Sequence, residues 1–334
     1  MKILITGVAG FIGFHTAKSL LSEGHQIVGI DNLNDYYDVE LKKSRLNLLK
    51  ETVRNGTGNE NDFSFYHDNI ADQKALDNIL DDHDDIEIII HLAAQAGVRY
   101  SLENPHAYVE SNLMGHVCVL ELARKIKGLK HLLYASSSSV YGGNTKLPFS
   151  VEDDVSKPVS LYAATKRADE LMSYTYSHLY KIPQTGLRFF TVYGAWGRPD
   201  MAYFSFTKAI LENRPISVFN DGNMERDFTY IDDIVDGIKS IMSTVPESDS
   251  ENNVPHRVYN LGNHKSENLV KFIEVIEESL GQKAEKIYKP LPKGDVIATY
   301  ADIKESQRIF NFSPKTSIEE GIPKFVEWYK EYYI

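Results

Sequence analysis

The sequence predicts an α/β fold built on a doubly wound parallel sheet, with a smaller mixed α/β lobe toward the C-terminal end. Three observations carry this. Strand-length apolar runs alternate with helix-length stretches through residue 190, three glycines separate the first strand from the first helix, and an acid ends the second strand.

Lys2–Thr6 reads as a short buried strand, 11–23 as a helix and 26–31 as a second strand, which together make a βαβ unit. Strands at 63–67, 86–92, 129–135 and 185–190 continue the alternation, with helical stretches such as 73–81 between them. The polar insertion 32–62 holds a helix over 39–51 and a turn-rich surface run over 54–61. From Tyr193 the pattern changes. Strands near 216–219 and 258–261 and helices near 268–280 and 318–332 build the second lobe, and 247–255 reads as an exposed acidic loop. The expected division is a dinucleotide-binding domain over 1–190, to which about 225–250 returns, interleaved with a substrate lobe over 191–334.

Composition excludes several functions. The chain has 334 residues, 42% of them hydrophobic and 25% charged, and no apolar run approaches the roughly 18 residues of a membrane span. The N-terminal residues lack the basic segment and long apolar stretch of a signal peptide, so the mature chain is expected to start near Met1. With 36 basic against 47 acidic groups the net charge is −11, and no basic stripe offers a surface to nucleic acid. One cysteine, Cys118, permits no internal disulfide, reads as a small buried helix residue and fits a reducing cytoplasm. None of the 11 histidines falls in a zinc-binding arrangement, so no metal is expected.

Gly7, Gly10 and Gly13 follow the first strand and open the first helix. The first allows a tight turn, the second lets backbone approach a pyrophosphate at the helix N-terminus, and the third allows close helix–strand packing. Asp31 stands where an acid hydrogen-bonds the adenosine ribose, and no arginine follows closely to receive a 2′-phosphate. That favours NAD over NADP.

Tyr162 and Lys166 lie four apart in the helical stretch 161–179 and so share a face. A nearby cation makes a phenol a better acid–base group, and Lys166 has donors to spare for a ribose hydroxyl. The same spacing recurs at Tyr300 and Lys304, but only the first pair follows a strand ending in Ser136, Ser137, Ser138 and Ser139. Ser137 is the candidate partner of a reacting hydroxyl. A polar turn alone explains Ser136 and Ser138 equally well.

On these residues the chain resembles the extended short-chain dehydrogenase/reductases, and among them the nucleotide-sugar epimerases. His91-Leu92-Ala93-Ala94, Ser136 through Gly142, Tyr162 with Lys166, and Arg226-Asp227-Phe228-Thr229-Tyr230-Ile231-Asp232-Asp233 fall in family order. The resemblance implies that Phe11, Ile12, Asn32, Ala93, Asn112, Lys166 and Phe189 line the NAD site. Where the family usually has an acid after the third strand this chain reads Asp68-Asn69-Ile70, and the resemblance implies an adenine contact from this stretch, with Asn69 and Ile70 as candidates.

It also narrows the reaction. Related dehydratases carry Asp and Glu where Ser138 and Ser139 stand, and relatives that decarboxylate a uronic acid place Glu at Ser139, so simple C4 epimerisation remains. The segment 188–201 resembles UDP-glucuronate 4-epimerases more than UDP-glucose 4-epimerases, which generally carry Asn where Thr191 stands. By that likeness Arg198 and Thr191 bind a uronate carboxylate, and Ser136, Ser137 and Ser138 meet the sugar. Arg226 and Arg99 meet the diphosphate, Asp295 the uridine ribose, and Phe219 with Asn220 the uracil. The plain alternatives are an Arg198 paired with Asp200 at the surface and a Phe219 in the core. The rival functions are UDP-glucose 4-epimerisation and a NAD-binding protein without chemistry. The resemblance further implies a homodimer through the helix carrying Tyr162 and the one before it.

Overall fold

The computed structural model describes residues 1–56, 58–248, 253–292 and 296–334. Asp295, the neighbouring Lys293 and residues 249–252 of the expected acidic loop lie outside the described residues. Six strands alternate with helices in the first part of the chain: β1 (Lys2–Thr6), β2 (Gln26–Ile30), β3 (Phe63–Tyr66), β4 (Ile88–His91), β5 (His131–Ser137) and β6 (Gln184–Phe189). Six more follow: β7 (Thr191–Tyr193), β8 (Ile216–Phe219), β9 (Glu225–Tyr230), β10 (His256–Leu261), β11 (Ser266–Asn268) and β12 (Lys286–Lys289).

The seven-stranded sheet has the order β10-β6-β5-β4-β1-β2-β3, and every pairing in it is parallel. Its strands are apolar on both faces because both faces are covered. Ile3 and Ile5 enter one core while Leu4, between them, enters the other. The order reverses between β1 and β4, which opens a crevice at the carboxyl ends of these strands. β11-β9-β7 and β12-β8 form two small sheets from the C-terminal part of the chain.

The helices of the sheet domain are α1 (Phe11–Ser22), α2 (Val39–Asn55), α3 (Gln73–Asp82), α4 (Tyr100–Glu103), α5 (Pro105–Tyr108), α6 (Gly115–Lys125) and α7 (Leu161–Tyr180). A π-helical turn, Val109–Met114, joins α5 to α6. Later come α8 (Ala202–Leu211), α9 (Ile231–Met242), α10 (Leu269–Leu280), α11 (Lys304–Phe310) and α12 (Ile318–Tyr333). No helix of the described residues is long and apolar enough to cross a membrane.

Three features differ from the sequence reading. The strand expected at 258–261 within the second lobe begins at His256 and forms an edge of the main sheet beside β6. Its polar start is masked in sequence but stabilised in the fold, where the Tyr134 hydroxyl meets His256 Nε2 at 2.8 Å. The insertion helix runs on to Asn55 because Val53 continues its apolar face, so the surface run begins later than 54. β5 continues through Ser136 and Ser137, which pair with Arg188 and Phe189 of β6.

One buried acid fixes α7 to the sheet. Glu170 Oε1 accepts from Arg188 Nε at 2.8 Å and from the Ser136 hydroxyl at 2.6 Å, while Oε2 accepts from Arg188 Nη2 at 3.0 Å and Arg167 at 2.8 Å. Burial alone would raise the Glu170 carboxyl, but these donors outweigh it and hold it below the ordinary range. Such a group stabilises the fold above its unfolded pKa, and that contribution fades as the pH falls through the folded value. Replacing Glu170 by Ala leaves the buried Arg188 without its carboxylate and should cost about 3–5 kcal/mol. Urea unfolding near neutral pH checks this; a midpoint equal to that of the wild type refutes the anchoring role.

Candidate active site

The glycine-rich turn after β1 is packed too closely for side chains at Gly7, Gly10 and Gly13. Gly7 has φ +72°, and a Cβ there would lie 2.8 Å from the Ala93 nitrogen. A Cβ on Gly13 would lie 2.1 Å from the Gly7 carbonyl oxygen. The turn therefore brings the start of α1 against the ends of β1 and β4 with bare backbone toward the crevice. Asp31 closes its edge: Oδ2 accepts from Ala9 N at 3.1 Å and Oδ1 from Leu33 N at 2.9 Å. A carboxylate has lone pairs beyond those two.

Tyr162 sits in the first turn of α7, which Ser160 caps by accepting from Ala163 N at 3.1 Å. Its ring meets Tyr108 edge-on, with centroids 6.1 Å apart. One turn later the Lys166 ammonium donates to the Ala135 carbonyl at 3.0 Å and to Asp169 Oδ2 at 3.1 Å. Ser137 Oγ accepts from Ser139 N at 3.1 Å, which leaves the hydroxyl proton to be donated elsewhere.

Gly7, Gly10, Phe11, Ile12, Gly13, Asp31, Asn32, Asn69, Ile70, Ala93, Ser136, Ser137, Tyr162, Lys166, Phe189 and Arg198 line one cavity. Ser136 reaches its edge, but its hydroxyl is directed to Glu170. Asn112 is not among the cavity walls. It is buried behind them, where Oδ1 accepts from Gln95 N at 2.8 Å and Nδ2 donates to Gln95 O at 3.1 Å and to Thr165 at 3.0 Å. These bonds brace the wall from behind.

Ser138, Thr191, Phe219, Arg226 and Arg99 also stand outside the cavity lining. The Arg99 guanidinium lies 4.6 Å from the Phe219 ring centroid, joining the loop after β4 to the second lobe. Arg226 Nη1 donates to the carbonyls of Glu225 and Ile297, both at 2.9 Å. Arg198 lines the cavity, and its Nε and Nη2 pair with Asp200 at 3.0 and 2.6 Å.

The sequence reading missed the wall supplied by the insertion. Asn34, Tyr36, Tyr37 and Lys42 line the cavity beside Arg198. Tyr36 donates to Asp200 at 3.2 Å, and burial followed by the Asp200 charge pushes its phenol up to about 12. Lys42 donates to the carbonyl and side chain of Asn34 at 2.6 and 2.8 Å, and burial lowers its pKa. Arg45, fully buried, donates to Ala9 O, the Tyr37 hydroxyl and the carbonyls of Trp196 and Gly197. A signal was available in the sequence, since Lys42 and Arg45 fall on the same helix face as Leu41, Leu46 and Leu49. Cations on an apolar face need acceptors that the helix itself does not supply.

Residues 3–262 match the model of the NAD dependent epimerase/dehydratase family. The chain belongs to this family. It is 49% identical to Protein CapI of Staphylococcus aureus, over 100% of this chain and 99% of that one. It is 47% identical to a probable UDP-glucuronate 4-epimerase of Rhizobium meliloti, covering 100% and 98%. In structure it resembles the UDP-glucuronic acid 4-epimerase of Bacillus cereus, solved with UDP-glucuronic acid and NAD, with a TM-score of 0.87, 33% identity and complete coverage of both chains.

The site fits the family's cofactor, NAD. Gly7, Gly10 and Gly13 line the cavity with backbone that no side chain could cover, and the Asp31 carboxylate lines it beside them. Asp31→Ala removes a charged acceptor and a tether of the loop. It should weaken NAD binding by about 1.5–3 kcal/mol, roughly ten- to a hundredfold. Titration calorimetry on nucleotide-stripped protein measures this, and unchanged affinity would exclude a contact with the ribose.

Proposed function

We propose that this protein interconverts UDP-glucuronate and UDP-galacturonate by epimerisation at C4, using tightly bound NAD. The observation that carries the reading is the convergence of Tyr162, Lys166 and Ser137 on the cavity that the dinucleotide turn also lines. The end-to-end likeness to the Rhizobium meliloti and Bacillus cereus proteins supports it.

When bound, NAD takes a hydride from C4 of the sugar and later returns it. Tyr162 accepts the C4 hydroxyl proton and gives it back after the sugar has turned its other face, acting as base and then acid. Ser137, whose oxygen already accepts from Ser139 N, donates to the reacting oxygen. Lys166 contributes positive charge one helical turn from the phenol and a donor for the nicotinamide ribose. Ser138 and Ser139 offer no carboxylate for eliminating a hydroxyl or releasing carbon dioxide.

A uronate needs a fixed carboxylate, because a 4-keto sugar loses carbon dioxide when that bond aligns with the carbonyl π system. Arg198 is the guanidinium we assign to it. Asp200 holds Nε and Nη2, which leaves Nη1 as the donor edge, and Thr191 supplies a further hydroxyl. Arg99 and Phe219, joined by their ring contact, are assigned to the uridine diphosphate together with Arg226 and Asp295.

The reading includes a homodimer through the 109–114 turn and α7. Val109 (46% exposed), Met114 (54%), Leu171 (53%) and Tyr174 (44%) support it, since large apolar side chains on two adjacent elements suit a covered face. It also places the protein in the cytoplasm, with support from the single buried thiol of Cys118.

Tyr162→Phe should lower turnover roughly 10²–10⁴-fold while UDP binding persists, and unimpaired turnover would refute the assignment. At equal concentrations UDP-glucuronate should be consumed faster than UDP-glucose. A preference for UDP-glucose would instead support UDP-glucose 4-epimerisation. Leu171→Glu combined with Met114→Glu should convert a dimer to a monomer in sedimentation, and a wild-type protein that sediments as a monomer contradicts the dimer.

A further inference from the structure

Lys166 is 3% exposed, and a buried ammonium is costly without a counter-charge. Its carboxylate partner is Asp169, one turn further along α7, 1% exposed and 3.1 Å away through Oδ2. Asp169 Oδ1 is buried with no hydrogen-bond partner. A residue kept only for packing gains nothing from an orphaned charged oxygen.

The neighbouring groups do not serve in its place. Glu170, next on α7, is taken up by Arg188, Arg167 and Ser136. His91 at the end of β4 meets Thr6 at 2.7 Å, and His116 on α6 meets Ser173 at 2.8 Å. Both imidazoles are held neutral, first by burial, with the Lys166 charge adding to it. Tyr134 of β5 is a buried phenol that stays protonated.

Resting on the reading of Lys166 given above, we propose that Asp169 is a positioning residue: its carboxylate is the buried counter-charge that holds the Lys166 ammonium beside the reacting phenol. Burial raises the Asp169 carboxyl to about 6, so the acid is ionised above that pH and neutral below it. Below that pH an ammonium needs no help to stay protonated. The charge of Asp169 therefore matters on the alkaline side, where a buried ammonium lacking a carboxylate gives up its proton more readily.

Asp169→Asn separates charge from geometry, since the amide oxygen accepts the same bond from Lys166 but carries no charge. The experiment is kcat of the holoenzyme with UDP-glucuronate from about pH 6 to about pH 10, for wild type and D169N. The alkaline limb of D169N should move down by about one pH unit or more, with KM and bound NAD near neutral pH little changed. Adding Lys166→Arg to D169N should remove the shift in whatever activity remains, because a guanidinium keeps its charge. Should D169N not accumulate as folded protein, Asp169→Ser, which admits water, must show the same shift. Coincident alkaline limbs, or an equal loss at every pH, overturn the proposal. Wild-type protein inactive on UDP sugars would instead overturn the functional reading on which it rests.

Discussion

The carboxylate of Glu170, buried between a helix and two strands, is the constraint on which the geometry of the site depends. It ties α7 to β5 through Ser136 and to β6 through Arg188. α7 is a 20-residue helix about 30 Å long, so fixing it at Glu170 also fixes Lys166 and Tyr162, one and two turns earlier. The same bond orients the serines. Successive side chains of a strand point to opposite faces, so Ser136 turned toward Glu170 leaves Ser137 directed the other way, into the cavity. A structural hydrogen bond and a cavity-lining hydroxyl thus come from adjacent residues of one strand.

Charge is managed locally against an unfavourable total. The chain carries a net charge of −11, yet both ligands proposed for it, a dinucleotide and a nucleotide sugar, are anionic. Lys42, Arg198 and Lys166 stand in its walls, each oriented by a partner: Asn34, Asp200 and Asp169 respectively. Arg45 lies just behind, bound to carbonyls and a phenol with no carboxylate among its hydrogen-bond partners. The insertion between β2 and β3 thereby joins the dinucleotide turn, through Ala9, to the segment that carries Arg198, through Trp196 and Gly197.

Much of this was legible in the sequence because it depends on local pattern. The parallel sheet announces itself as short apolar runs, since strands covered on both faces need no polar alternation. The glycine spacing, Asp31 and the Tyr162–Lys166 pair are short-range signals with direct steric or electrostatic reasons. What escaped depends on partners distant in the chain. Asn112 looks like a ligand contact until Gln95 and Thr165 are seen to occupy it, and Ser136 looks like its neighbour until Glu170 appears. β10 starts with His256 and Arg257 and so hides its place in the main sheet, which only the pairing with β6 reveals. Lys42 and Arg45 were overlooked because their acceptors come from loops rather than from the helix that carries them.

In the proposed reaction the hydrogen on C4 stays between sugar and cofactor while that carbon inverts. UDP-glucuronate carrying deuterium at C4, converted in ordinary water, should therefore give UDP-galacturonate that retains the deuterium at C4, read by mass spectrometry and proton NMR. Product that has exchanged the label for solvent hydrogen would contradict it, because inversion would then proceed through a carbanion or by addition of water.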